Sequence, residues 1–183
     1  MSLRVLRGTR ILQALDEDST AQQLRQNIEQ GFPNTKKRQH ATNEVTISNV
    51  QYIPYVGTKF LHIKSQSTSN GNQYKQVIQF TKVVFEPADT PDNISFTSVD
   101  GRDVHVQPIN LAQHNAKVRC NCLDFHYRFA TWNFSDNSLV GPAPKPYRRV
   151  TTTRPPVNPS KVEGMCKHLI KLVDTLKRGG LVA

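Results

Sequence analysis

Long apolar runs are absent from this 183-residue sequence. No stretch approaches the roughly 18 apolar residues of a membrane-spanning helix, and the first residues lack the apolar block of a signal peptide. We therefore expect a soluble chain, made inside the cell, with no membrane partner. Hydrophobic residues reach only 37%, and the polar excess is mainly Gln, Asn, Thr and Ser. This composition favours extended or assembly-dependent segments beside a folded core.

The features of an enzyme are also missing from the sequence. We find no nucleophile with a positioned base and no metal site with an open position, one of which catalysis would require. There is no phosphate-binding glycine loop, because Gly179-Gly180 is better explained as the end of a helix. The sequence therefore predicts a protein that is not an enzyme and has no small-molecule substrate.

Cysteine is scarce, and the three cysteines of the chain fall in one region. Cys120 and Cys122 are followed by 43 residues, then by Cys166, and His168 comes two residues later. In a reducing compartment, an odd number of cysteines at these spacings favours metal ligation over disulfides. Three thiolates and one imidazole form a complete tetrahedral set for a structural zinc ion.

Two other interpretations of this Cys3His set stay open. An iron–sulfur cluster accepts the same types of ligand. Alternatively, the cysteines are buried apolar thiols and His168 is a surface residue. Two neighbours, Asp124 and His126, either orient a ligand through hydrogen bonds or are surface residues without a role.

Helical geometry restricts where the ligands can lie. Residues two apart in the middle of a helix point about 200° apart and cannot share one ion. Cys166 and His168 are therefore expected at the entry to a helix, with Gly164 supplying backbone freedom for the turn. Cys120 and Cys122 need a bend as well. The C-terminal helix itself is predicted from the apolar stripe of Leu169, Ile170, Leu172, Val173 and Leu176.

The first 40 residues predict an arm and one short helix. Residues 1–15 alternate basic and apolar side chains. A helix over about residues 20–30 has only Leu24 and Ile28 as apolar positions, so it needs a partner surface. The basic run Lys36–His40 is a solvated loop or a nucleic-acid contact.

Residues 45–107 have the alternating pattern of strands. We expect one antiparallel sheet of about five strands, in which Pro54 interrupts the first strand and residues 77–85 form the third. The result is an α+β fold: a small antiparallel β-sheet, an extended N-terminal arm, and a metal-stapled C-terminal subdomain ending in an α-helix. The expected division is 1–40 for the arm and short helix, 41–116 for the β domain and 117–183 for the metal-binding subdomain.

Between the two ligand pairs, the chain predicts an aromatic core and a projecting loop. The loop, residues 140–160, is rich in proline and should be extended and semi-rigid. Its arginines, Arg148, Arg149 and Arg154, are solvated, contact a protein partner or contact nucleic acid. The aromatic residues, which we expect to pack around the ion and not to stack on bases, are Phe125, Tyr127, Phe129, Trp132 and Phe134.

Positive charge is concentrated in the metal-binding half. Residues 1–116 contain 12 Lys and Arg against 10 Asp and Glu, whereas residues 117–183 contain 12 against 4, a net of +8. Bound thiolates would offset about three of these charges. The remaining excess favours an acidic partner, either nucleic acid or an acidic protein face.

The ligand pattern and its surroundings resemble two known groups of proteins. The Cys-x-Cys and Cys-x-His pairs resemble the SWIM-type zinc finger, which implies zinc ligation by Cys120, Cys122, Cys166 and His168. The 43-residue insert is longer than is usual in that family. About the last 65 residues resemble uncharacterised virion proteins of tailed bacteriophages. The motifs that carry this second resemblance are Cys122-Leu123-Asp124-Phe125-His126-Tyr127-Arg128-Phe129, Asn158-Pro159 and Gly164 to Leu169.

Two functions follow from these patterns. The first is a structural component of a tailed bacteriophage virion, in the tail, baseplate or neck, made in the cytoplasm of the bacterial host. Its partners would be other virion proteins, with nucleic acid as a second choice. The alternative is a SWIM-type zinc-finger module that binds nucleic acid or protein.

Overall fold

The computed structural model describes residues 18–32, 42–145, 153 and 155–183. The arm at residues 1–15, the basic run Lys36–His40, and the arginines Arg148, Arg149 and Arg154 lie outside the described residues, so the predictions made for them stay predictions. Within the described residues the fold is α+β, as predicted, with an antiparallel sheet and four α-helices, the last of which is the C-terminal helix beside the Cys3His group.

The N-terminal helix α1 (Ala21–Gly31) begins with a reciprocal capping arrangement. The backbone N–H of Gln23 donates to Oγ1 of Thr20 at 3.2 Å, and the N–H of Thr20 donates to Oε1 of Gln23 at 2.8 Å. Leu24 and Ile28 are fully buried in the core of the same chain. The thin apolar stripe therefore finds its partner surface within the molecule.

The main sheet has four antiparallel strands in the order β1-β2-β3-β7. A single 3-10 turn at Val56–Thr58 joins the first two strands. The β2–β3 turn uses Asn70 and Gly71, whose φ angles of 50° and 74° suit a tight hairpin. The four strands are β1 (Thr46–Tyr55), β2 (Phe60–Ser69), β3 (Asn72–Phe80) and β7 (Ala116–Cys120).

A second sheet has three strands in the order β4-β6-β5, so the prediction of one five-stranded sheet was wrong. The third strand ends at Phe80, because the chain turns at Lys82 with a φ of 59°, and Phe85 pairs with Val106 in the second sheet. Pro54 does not interrupt β1, since β1 is an edge strand where a missing N–H is tolerated. The strands of this sheet are β4 (Phe85–Glu86), β5 (Ile94–Thr97) and β6 (Asp103–Val106).

The core lies between the inner face of the main sheet and the C-terminal helix. Two short helices, α2 (Leu123–Arg128) and α3 (Ala130–Ser135), follow β7, and α4 (Lys167–Arg178) closes the core. β7 pairs with β3, so the main sheet receives its last strand from the metal-binding segment. The two segments share one core, and the domain boundary at residue 116 stays a prediction. None of the helices in the described part of the chain has the length and apolar character needed to cross a membrane.

Candidate metal centre

Cys120 is the last residue of β7 and faces the core. Burial alternates along β7, with Ala116, Val118 and Cys120 on the inner face. Cys120 pairs with Gln76 of β3 and is 4% exposed. The alternation of a half-buried strand therefore points its thiol under the end of the sheet.

Cys122 is the N-cap of α2, and the chain bends between the two cysteines as predicted. Its backbone is extended, with φ −73° and ψ 150°, and its Sγ accepts a hydrogen bond from the N–H of Phe125 at 3.3 Å. Asn121, between the cysteines, still pairs with β3, because its N–H donates to the carbonyl of Lys75 at 3.2 Å. The helix start turns the second thiol back toward the first.

Cys166 and His168 open α4, which confirms the position expected from helical geometry. Cys166 is the N-cap, with φ −80° and ψ 168°, and its side chain makes no capping hydrogen bond. His168 lies in the first turn of the helix. Its ring stacks on Tyr74 of β3, with a centroid distance of 4.2 Å and an angle of 26°.

The four side chains form one compact, buried group. Their ligand atoms all lie within 4.8 Å of one another, and Nδ1 of His168 lies 3.8 Å from Sγ of both Cys120 and Cys166. A tetrahedral zinc ion, with bonds of about 2.3 Å to sulfur and 2.05 Å to nitrogen, separates these atoms by about 3.6 Å. Each residue is at most 4% exposed. The residues therefore fit a closed, four-coordinate metal ion.

The electrostatics of the three thiols also favour a cation. The pKa of Cys122 is well below its ordinary value, because Cys120 and Cys166 hydrogen-bond to its thiolate. The pKa of Cys120 is raised by the same hydrogen bond with Cys122, and burial raises that of Cys166. Hydrogen bonding to Cys122 and burial thus oppose ionisation of the other two thiols. Three thiolates need a positive ion to offset their burial and mutual repulsion.

The imidazole of His168 is oriented by packing. Its Nδ1 faces the sulfur atoms, whereas its buried Nε2 has no hydrogen-bond partner among the described residues. Ligation through Nδ1 would leave Nε2 protonated, and the stack on Tyr74 fixes the ring plane. Tyr74 was not predicted from the sequence to lie at the site, although its alternation with Gln76 and Ile78 places it on the inner face of β3.

Asp124 and His126 lie on α2 next to the site, but their described contacts go elsewhere. The carboxylate of Asp124 accepts a hydrogen bond from Nε of Arg128 at 2.9 Å. The ring of His126 lies 4.8 Å from that of Tyr127. Their predicted role in orienting a ligand stays a prediction.

Gly164 positions the second ligand pair by close packing and not by an unusual turn. It is not one of the glycines with positive φ. A Cβ atom here would lie 2.9 Å from the ring of Phe129 and 3.0 Å from Cγ1 of Ile28. Its N–H donates to Oδ1 of the fully buried Asn133 at 3.0 Å. Asn133, a polar residue within an aromatic run, was not predicted from the sequence to support the site.

Side chains hold both ends of the 140–160 loop. At the entry, the guanidinium of Arg119 donates to the carbonyls of Val140 and Pro142. At the exit, Nδ2 of Asn158 donates to the carbonyls of Arg128 at 2.8 Å and Val162 at 2.7 Å. The base of the loop is therefore fixed next to the metal-binding group.

The aromatic run contributes only part of the core. Phe125 and Phe129 are buried and contact each other, with ring centroids 6.4 Å apart. Tyr127 and Phe134 are 46% and 50% exposed. The prediction of an aromatic core around the site is thus confirmed for Phe125 and Phe129 and wrong for Tyr127 and Phe134.

Comparison of the chain with family models, with curated proteins and with solved structures gave no match. The resemblances to SWIM-type fingers and to phage virion proteins therefore stay predictions. The functional interpretation depends on the geometry of the Cys3His group and on the surfaces around it.

Proposed function

We propose that Cys120, Cys122, Cys166 and His168 bind one zinc ion with a structural role. The observation that carries this proposal is the burial of a complete tetrahedral ligand set, with all four ligand atoms within 4.8 Å of one another. Four protein ligands leave no position for water or substrate, which is typical of structural sites and not of catalytic ones. The protein is accordingly proposed to be non-catalytic.

The ion would link three elements that are distant in sequence. It would connect the end of β7, the cap of α2 and the first turn of α4. Structural zinc sites bind with an apparent free energy on the order of 10 kcal/mol, comparable to the whole stability of a domain. The short ligand separations support zinc over an iron–sulfur cluster, whose ligands attach to different iron atoms and so lie farther apart.

Metal analysis of the full-length protein tests this proposal. We expect one zinc ion per chain, no visible absorption band, and loss of the metal in His168→Gln. The matched control is His105→Gln on β6, which should keep the zinc. A broad band near about 400 nm with bound iron would assign an iron–sulfur cluster instead. Full zinc content in both variants would exclude His168 as a ligand.

We further propose that the protein is a structural component of a tailed bacteriophage particle. The motifs from Cys122 to Phe129 and from Gly164 to Leu169 support this proposal through their resemblance to virion proteins. An assembly role would bury exposed apolar side chains such as Tyr55, Leu123 and Phe134.

Mass spectrometry of purified particles tests the assembly role. The protein should copurify with particles at a fixed ratio to the other structural proteins. Its presence in infected cells, together with its absence from particles, would contradict the proposal. The zinc site is tested independently, since a metal-bound protein outside the particle would fit the SWIM-type module given as the alternative.

A further inference from the structure

The outer face of the four-stranded sheet has an unusual distribution of charge. Its strands β1, β2, β3 and β7 contain no Asp or Glu. Strand alternation places the inner residues in the core, and all the Lys and Arg residues of these strands fall on the opposite face. These outer-face cations are Lys64, Lys75, Lys117 and Arg119.

Strand register brings these cations close together. One row across the sheet reads Gln51, Lys64, Val77 and Arg119, one residue from each strand. In the adjacent row Gln66 pairs with Lys75. Since neighbouring strands lie about 4.8 Å apart, charged groups repeat at roughly 5–10 Å across the sheet. This spacing is comparable to that of phosphates in an extended nucleic-acid strand.

Two grooves on this side of the molecule meet at the same residues. One, of about 640 Å³, runs from Gln51 past Lys64 and Gln66. The other, of about 530 Å³, runs toward α2. Both are lined by Lys75 and Val77, so together they form one track across the sheet. The residues at its α2 end are Arg119, Cys120, Asn121, Leu123, His126 and Tyr127, so this end of the track borders the Cys3His group.

The positive charge of this track is not neutralised by acidic side chains. Arg119 donates to backbone carbonyls, and Nζ of Lys117 donates to the amide oxygen of Asn137 at 2.7 Å. The ion pairs formed within the described ranges do not include any of the four cations. Asp124, the acid next to the track, is paired with Arg128 at 2.9 Å. Asp18 approaches Lys117 through the shared Asn137 amide, but no described acid pairs with Lys64, Lys75 or Arg119, so the described part of this face carries net positive charge.

The α2 end of the track is apolar and aromatic. Leu123 is 70% exposed and Tyr127 is 46% exposed, and His126 lies against Tyr127. Aromatic side chains beside a cationic groove provide stacking surfaces for unpaired bases. The amides of Gln51 and Gln66 offer both donors and acceptors to base edges. Charge, stacking surface and amides thus occur together on one sheet face.

We propose that this face binds single-stranded nucleic acid. A single strand can follow the shallow track with its phosphates on Lys64, Lys75 and Arg119 and place its bases near Tyr127. The helix at one end of the track, α2, has only six residues, and the described sheet face is shallow, so neither resembles the long helix or ribbon that enters the groove of a duplex. This surface is additional to the zinc site, because Lys64, Lys75 and Arg119 lie on the sheet and are not members of the Cys3His group.

Fluorescence anisotropy with a labelled thymidine oligonucleotide of about 20 nucleotides tests the surface on the full-length protein. The double variant Lys64→Gln/Lys75→Gln removes two exposed charges from the track. We expect its affinity to fall about tenfold or more, and the slope of log K against log salt to decrease in magnitude by about 1.4. The matched control, Lys82→Gln/Lys177→Gln, removes two exposed lysines outside the track and should bind as the unaltered protein does.

Three results would overturn the inference: no binding by the unaltered protein, an equal loss in both double variants, or tighter binding to a duplex or to poly-glutamate. Zinc content is measured on the same samples, so that the two proposals fail separately. If the protein contains zinc but does not bind the oligonucleotide, the nucleic-acid surface is excluded and the zinc site is retained. If the protein contains no zinc, and only Lys64→Gln/Lys75→Gln loses oligonucleotide binding, the zinc site is excluded and the nucleic-acid surface is retained.

Discussion

The Cys3His group and the β5–β6 hairpin differ in how they are stabilised: the first by buried contacts between residues distant in sequence, the second by exposed contacts between near neighbours. The Cys3His group joins three elements through side chains that are at most 4% exposed, and Cys120 and His168 are 48 positions apart in sequence. The hairpin is held by Ser98, Asp100 and Arg102, which lie within five residues. Nε of Arg102 donates to the carboxylate of Asp100 at 2.7 Å, in a pair with side chains 70% and 48% exposed.

This difference determines how much each region contributes to stability. Buried contacts between distant elements depend on the whole fold, and breaking one exposes charged or polar atoms to an apolar environment. Exposed ion pairs compete with water and contribute little. We therefore expect changes at the metal-binding group to affect the whole molecule and changes at the hairpin to remain local.

Removal of the metal should have the largest effect. Without the ion, the three buried thiols cannot all ionise, and the ends of β7 and α4 lose their connection. We expect a chelator to lower the thermal unfolding midpoint, measured by circular dichroism, by well over 10 °C, given a zinc contribution on the order of 10 kcal/mol. The variant Cys166→Ser should show the low midpoint without a chelator and no further decrease with one. An unchanged midpoint in this variant would contradict a structural role for the ion.

Gly164→Ala should have the next largest effect. The added methyl would overlap the ring of Phe129 at 2.9 Å, and overpacking of this kind costs about 1–3 kcal/mol. Urea unfolding measures this loss. Gly57→Ala is the matched control, because a Cβ there meets nothing within 4 Å, and it should change stability little. Equal effects of the two substitutions would show that the packing around Gly164 adapts.

Asn133→Ala should cost about 1–2 kcal/mol. The substitution leaves the buried N–H of Gly164 without its acceptor, which lies at 3.0 Å in the folded protein. Since Gly164 precedes Cys166 by two residues, we also expect weaker zinc binding, measured by competition with a chelator. Asn72→Ala, on the exposed start of β3, is the control. An unaltered zinc affinity in Asn133→Ala would show that the hydrogen bond from Gly164 to Asn133 does not support the Cys3His group.

The hairpin should show the smallest effect on stability, and its contact is detected most directly by titration. Hydrogen bonds from Arg102 and Ser98 lower the pKa of Asp100 from 3.8 to about 2. Because the folded pKa is the lower one, the contribution of Asp100 to stability is present above pH 3.8 and is lost as the pH falls through about 2. We expect NMR titration to show this midpoint, and Arg102→Gln to move it back toward 3.8. A midpoint near 3.8 in the unaltered protein would rule out the Asp100–Arg102 contact in solution.

Local sequence patterns predicted the elements better than their arrangement. The limits of α1 and α4 and the helix-entry position of Cys166 and His168 all depend on neighbouring residues, and all were confirmed. The single five-stranded sheet was wrong because periodicity does not say which strands pair. Phe85 continues the apolar pattern of residues 77–80, yet it pairs with Val106 in the second sheet.

The sequence by itself determined which side chains could hold a metal ion, three thiols and one imidazole, as well as their place at a bend and a helix start, and a basic C-terminal half. These properties follow from residue type and from spacing over a few residues. Only the tertiary structure decided that Tyr74 covers His168, that Asn133 holds Gly164, and that the cations of three strands share one face. Such contacts join residues far apart in the chain, and strand register and close packing set them.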